Sequence, residues 1–158
     1  MSKSGVSVVL DKTAALGKAV RALTRSAVLV GVPEDKGPRK DGEMNNATLA
    51  HIHNFGSPLA NIPARPFLAP GIKSAQEGIV AGLKEAGKAA LDGNAGGVHR
   101  GLNKAGLQGQ NGVRAQFADN DWPALKPETI ARKGKGKDKP LIDTGQLRKS
   151  ITYVVREK

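Results

Sequence analysis

The sequence predicts an α+β domain, a small mixed or antiparallel sheet packed against two or three helices with long loops between them. Three observations lead there. GVSVVL at 5–10, AVLVGV at 27–32 and the closing ITYVVREK have the β-branched content of short strands. KTAALGKAVRALTR and the stretch from Ile72 to Leu91 place apolar residues at helical spacing. Between these lie Pro- and Gly-rich stretches, and no internal repeat appears. The expected sheet draws on segments near 6–10, 27–32 and 150–156. The expected helices lie near 12–25 and 72–91.

In chain order, Asp11 offers a cap to the first helix, whose Leu16, Val20 and Leu23 share one stripe flanked by Lys12, Lys18, Arg21 and Arg25. The near-continuous apolar run 27–32, ended by Pro33, reads as a strand buried on both faces or lying between sheet and partner. PEDKGPRKDGEMNN combines Pro, Gly and charge without period and predicts a mobile loop at 33–46. Asn45 or Asn46 can cap a short helix through ATLAHIHNF, with Leu49 and Ile52 inward and Gly56 at its end. Pro58, Pro63, Pro66 and Pro70 then forbid regular helix and hold the chain extended.

The helix from Ile72 uses Ile79, Leu83, Ala86 and Ala90, yet carries Gly78, Gly82 and Gly87, each costing about 1 kcal/mol against Ala. Such a helix lets another backbone approach closely. Residues 93–112 are Gly- and Asn-rich with no convincing period, a frayed helical extension or an insertion that orders on assembly. DWPALKPETIARK predicts a loop anchored by Trp122 and Leu125, then a short helix with Pro127 at its first position. KGKGKDK is a solvated basic loop, and the last strand alternates Ile151, Tyr153 and Val155.

A chain of 158 residues is enough for one domain with a real core. Aromatics make up 3% and glycine supplies 20 residues, so the core is built from Ala, Val, Leu and Ile and is thin enough to gain from neighbouring subunits. Lys and Arg outnumber Asp and Glu by 25 to 14, a formal charge of +11, which favours polyanions or acidic protein surfaces without implying sequence readout. The lack of cysteine excludes disulfides and thiolate metal sites. No apolar stretch suits a signal peptide or a membrane span, which predicts a soluble, unexported protein.

The tripeptide Asp143-Thr144-Gly145 has the form of an aspartic-protease half-site. That chemistry needs two such turns sharing a proton, and this chain has one. Gln146 replaces the small residue that usually follows, and the remaining 13 residues are too few for the strands of a half-barrel. The favoured reading is that Asp143 or Thr144 caps the turn TGQLRKS. His51 and His53, two apart on a helix, diverge by about 200° and cannot grip one metal. One is expected to pack and the other to face solvent. No nucleophile elbow, dinucleotide fingerprint or phosphate-binding loop is present. The basic tract Arg132, Lys133, Lys135, Lys137 and Lys139 could contact phosphates, although no aromatic residue stands beside it to stack on bases.

Three segments together carry a resemblance. AHIHNFGSPLANIPARPFLAPGI, DWPALKPETIARK and PLIDTGQLRKSITYVV resemble, in order, stretches of small tail-completion and neck proteins of long-tailed bacteriophages, the HK97 gp10-like and Mu gpG-like virion morphogenesis families. The resemblance covers roughly residues 26–158, with a poorly matched portion at 93–112, and residues 1–25 have no counterpart in it. The matched positions are Phe55, Gly56, Pro63, Arg65, Pro66, Phe67, Trp122, Leu125, Asp143, Thr144, Gly145 and Leu147.

The resemblance implies a single tail-completion or neck domain over 1–158, acting without catalysis, cofactor or metal as a ring, commonly of six copies. Its implied partners are the head-tail connector and the tail-terminator or tail-tube proteins. Its place is the head-tail junction of the virion, reached from the host cytoplasm during assembly, with positive charge facing channel DNA and no membrane partner. Arg65, between two prolines, is expected to contact a carboxylate of the same or an adjacent subunit. The alternatives from other classes are a basic nucleic-acid-binding module and a dimeric aspartic protease.

Overall fold

The computed structural model describes residues 11–34, 38–39, 42–118, 121–134 and 138–158, with backbone alone at 38–39 and 42–43. The strand expected at 5–10 lies outside the described residues. The chain is α+β. Helix α1 (Thr13–Thr24) leads into strand β1 (Ser26–Gly31), then strands β2 (Pro38–Arg39) and β3 (Gly42–Asn45) and helix α2 (Asn46–Phe55). A 3-10 turn at Pro58–Ala60 precedes helices α3 (Leu68–Ser74), α4 (Gln76–Leu91), α5 (Ala95–Ala115), α6 (Pro127–Lys133) and α7 (Gln146–Ser150). Strand β4 (Thr152–Glu157) closes the described chain.

Strand β1 pairs antiparallel with β4, Ser26 opposite Glu157 and Gly31 opposite Thr152. Alternation sends Val28, Val30, Tyr153 and Val155 toward the helices. Leu29 and Val154, directly opposed, are 47% and 40% exposed on the other side. The run at 27–32 is therefore covered on one face only, which corrects the expectation of double burial. Half of the 33–46 segment also departs from the expected loop, because β2 and β3 pair antiparallel. Strands this short are too brief to show a period-2 signal.

Helix α1 starts as expected, with Asp11 Oδ1 accepting the Thr13 N–H at 2.8 Å. Its buried residue is Ala19, flanked by Ala22 and Leu23, while Leu16 and Val20 are each 38% exposed. The stripe is thus centred on small residues, which permit close helix approach. The expected 72–91 helix is two helices. Helix α3 begins at Leu68, and Pro70 is accommodated in its first turn, where a missing N–H leaves no bond unmade. It ends at Ala75 (φ −92°, ψ 6°), where the Ser74 hydroxyl donates to Gly71 O at 2.9 Å.

The largest correction concerns residues 93–112. They form most of α5, the central helix against which α1, α3, α4 and the β1–β4 ladder all pack. Its side chain cap is Asn94, whose Oδ1 accepts the Gly97 N–H at 2.8 Å. The buried residues Val98, Gly101, Leu102, Ala105, Gly106, Gly109, Gln110 and Val113 form two adjacent columns at helical spacing. A period exists once glycine is counted as a buried-face residue. A Cβ on Gly101 would lie 2.5 Å from Ala86 N, and one on Gly82 would lie 2.7 Å from Ala105 N. The close backbone approach expected of α4 is therefore found at Gly82, but not at Gly78, which faces the Gln108 side chain, nor at Gly87, which has open space.

Two apolar clusters result. One gathers Ala19, Ala86, Ala90, Val98 and Leu102 between α1, α4 and α5. The other gathers Phe67, Val113, Phe117, Leu147 and Ile151, with Trp122 and Leu141 packed against it. Arg114, in the last turn of α5, joins this second cluster to the sheet. Its Nη2 donates to Ile151 O at 2.7 Å and to Lys149 O at 3.2 Å. Among the described residues no helix is long and apolar enough to cross a membrane.

Candidate functional site

The end of α2 sets the first wall. Gly56 has φ 79°, and a Cβ there would meet Ala64 N at 2.8 Å, so glycine is needed both for the turn and for the strand that folds back over it. Ser57 and Ile62 close that loop through paired backbone bonds of 2.9 and 3.0 Å. The returning chain is then pinned on both sides of Arg65. Arg65 N donates to His53 O at 2.8 Å, and Asn54 Oδ1 accepts the N–H groups of Phe67 (3.1 Å) and Leu68 (3.2 Å). Asn54, buried in the last turn of α2, thus satisfies the open N-terminus of α3.

Phe67 enters the core, its ring 5.0 Å from that of Phe117, which in turn meets Trp122 edge-on at 6.0 Å. The Trp122 indole N–H donates to Pro66 O at 3.2 Å. The tryptophan segment and the Pro-Ala-Arg-Pro-Phe segment are therefore one structural unit. Pro63 and Pro66 stay exposed and hold the extended path.

The second wall comes from α6, α7 and the turn between them. Pro127 opens α6 as expected. The Lys133 ammonium donates to Ile142 O at 2.6 Å and Lys139 O at 2.9 Å, tying the turn across its mouth. Leu141 is held at φ 58°, a conformation that costs a branched residue on the order of 1–2 kcal/mol. Gly145, at φ 73°, occupies the position before α7. Thr144 Oγ1 is 3.5 Å from Gln146 N, a long contact, and Gly145 at the N-cap has no side chain to offer α7. Asp143 stands exposed at the rim.

Between these walls lies an open cleft of about 540 Å³. Leu49, Leu125, Leu141 and Leu147 give it apolar sides, and His53, Arg65, Arg132, Lys133 and the Asp143–Gly145 turn give it polar ones. Counting Arg65, Arg132 and Lys133 against Asp143, the lining carries a formal +3 − 1 = +2. Arg65 is 7% exposed, its Nε is buried without an acceptor, and its Nη2 reaches Pro123 O only at 3.5 Å. Burial pushes the guanidinium below the usual arginine range, since desolvation penalises its charged form. Among the described residues the one ion pair is Lys104 with Glu85, on the exposed faces of α5 and α4. The same-subunit carboxylate expected for Arg65 is thus not found there.

Of the residues singled out from sequence, Arg65, Leu125, Arg132, Lys133, Asp143, Thr144, Gly145 and Leu147 meet at this cleft. Phe67 and Trp122 lie in the core beneath, whereas Phe55 points away, 65% exposed, its ring 4.9 Å from His51. His51 is exposed and His53 half-buried, as the spacing predicts. Of the basic tract, Lys133 is engaged by two carbonyls, Arg132 borders the cleft and Lys139 is exposed. Lys135 and Lys137 lie outside the described residues. Sequence reasoning missed Asn54 and Leu141. A short polar residue just before Phe-Gly at a helix end was the available signal for Asn54; a leucine gives none for a left-handed turn.

A stretch of 33 residues, 21% of the chain, is 52% identical to an uncharacterized protein of Methanocaldococcus jannaschii. The match spans 24% of that protein's length. No family model and no solved structure matches the chain.

Proposed function

We propose that this chain is a structural virion protein of a long-tailed bacteriophage, a tail-completion or neck subunit that assembles as a ring and joins the tail to the head connector. The observation that carries the reading is convergence. The first of the three segments that resemble these families ends almost 50 residues before the other two begin, yet all three fold against one another around one cleft and its aromatic floor. What they contribute there is shape: a proline-held strand, an indole locked to a backbone carbonyl, and a glycine turn. Copies of the chain meet through the β1–β4 ladder, whose outer side exposes Leu29 and Val154, and through the 56–70 connection, where Leu59 is fully exposed.

Omitting the protein from phage production should leave unjoined heads and tails under negative-stain imaging. Normal virions would overturn the reading. The rival, a basic nucleic-acid-binding module, draws on the +11 charge and predicts tight duplex binding by the isolated chain with steep salt dependence. The joining subunit should instead sediment as a ring in the absence of DNA.

A further inference from the structure

We infer that the cleft between α2, α6 and α7 is a receptor for a single carboxylate, an Asp or Glu side chain on an apolar-flanked segment of a partner protein, and that Arg65 receives it. This rests on the assembly reading for the partner's being another particle protein; the chemistry rests on the cleft alone.

A guanidinium withdrawn from water without a counter-charge is costly, and arginine normally escapes by extending its stem to solvent. Arg65 cannot. Its backbone is held by His53 O, and the residues after it are held by Asn54 and by the Trp122 bond to Pro66. Among the described residues the guanidinium's one bond is the 3.5 Å contact of Nη2 to Pro123 O, so Arg65 keeps unused donors where it lines the cleft, and a planar guanidinium suits the two oxygens of a carboxylate. Lys133, by contrast, already has two carbonyl acceptors.

The surroundings select among anions. The net +2 lining attracts an anion. Four leucines around the cleft suit the flanks of a peptide better than a free phosphate. The volume of about 540 Å³ falls in the range that holds a small ligand or a few side chains. Leu141, held in a left-handed conformation on the same wall, is the kind of strained residue that clusters at ligand clamps.

The test uses the full chain and a set of acetylated, amidated hexapeptides carrying one Glu or Asp among Leu, Val and Ala. Their Gln and Asn counterparts and inorganic phosphate serve as further probes, all measured by calorimetry. At least one acidic peptide should bind tenfold or more tightly than its amide counterpart, and Arg65→Met should abolish that preference. Without ligand, Arg65→Met should melt at the same temperature as the parent chain or higher, since it removes an unpaired buried charge. Equal binding of acidic and amide peptides, or binding of neither, would overturn the proposal. So would phosphate binding as tightly as the best peptide, which would mark a free-anion site. A lower melting temperature for Arg65→Met would assign the residue a role in holding its own fold instead. A chain that forms rings yet shows no carboxylate preference loses this inference and keeps the assembly role; a chain that prefers carboxylates but forms no ring loses the assembly role alone.

Discussion

Around Ala19, Ala86, Ala90, Val98 and Leu102 the helices touch nearly backbone to backbone, whereas around Phe67, Phe117 and Ile151 bulky side chains fill the space between elements. The first region is specified by what is absent, the Cβ atoms that Gly82 and Gly101 lack. The second is specified by what is present, three aromatic rings in contact. Most of the motif residues singled out from the sequence fall in or over the second region. The glycine-threaded end is a scaffold, and the aromatic end is a floor under the cleft.

The contrast can be broken most severely at the aromatic end. Phe117→Ala should cost about 3–5 kcal/mol, as expected for removing a fully buried ring from a site with little room to collapse. Urea unfolding followed by the fluorescence of Trp122, the single tryptophan, would measure it. A loss under about 1 kcal/mol would mean that the floor is not packed as described. At the other end the damaging change is an addition. Gly101→Ala should cost about 2–3 kcal/mol by forcing α4 and α5 apart, since its methyl would meet Ala86 backbone and Cβ atoms, none of which can yield alone. A neutral result would show that the helix contact is loose. The smallest effect sharpens the same point. Gly87→Ala, on the facing helix α4 with nothing within 4 Å, should stabilise by about 0.5–1 kcal/mol through helix propensity alone.

The two regions also differ in how well the sequence revealed them. Helix caps at Asp11 and Asn45, the proline start of α6 and the final strand were readable because each rests on local chemistry. The approach of α4 to a neighbour could be inferred from its glycines, though Gly87 shows that a glycine in a helix need not mark a contact. Helix α5 was hidden for the same reason: glycine scores as a breaker by propensity, while in this fold it forms the buried face. At the cleft, the order of motifs pointed to the participants but not to their arrangement. That Arg65 is buried beside no carboxylate of its own chain depends on how Asn54 and Trp122 fix the backbone, which is tertiary information.

The β1–β4 ladder joins Ser26 to Glu157, across nearly the whole described chain, whereas α4 and α5 are neighbours in sequence and share the most extensive contact. Closing so long a loop before any contact rewards it is slow, and local pairing is fast. The order of events follows from that disparity: the helical hairpin zips early, and the strands meet late on a surface already prepared for them. Rapid-mixing kinetics should show helical signal gained well before the amides of Leu29 and Val154, a hydrogen-bonded pair of the ladder, resist exchange with solvent.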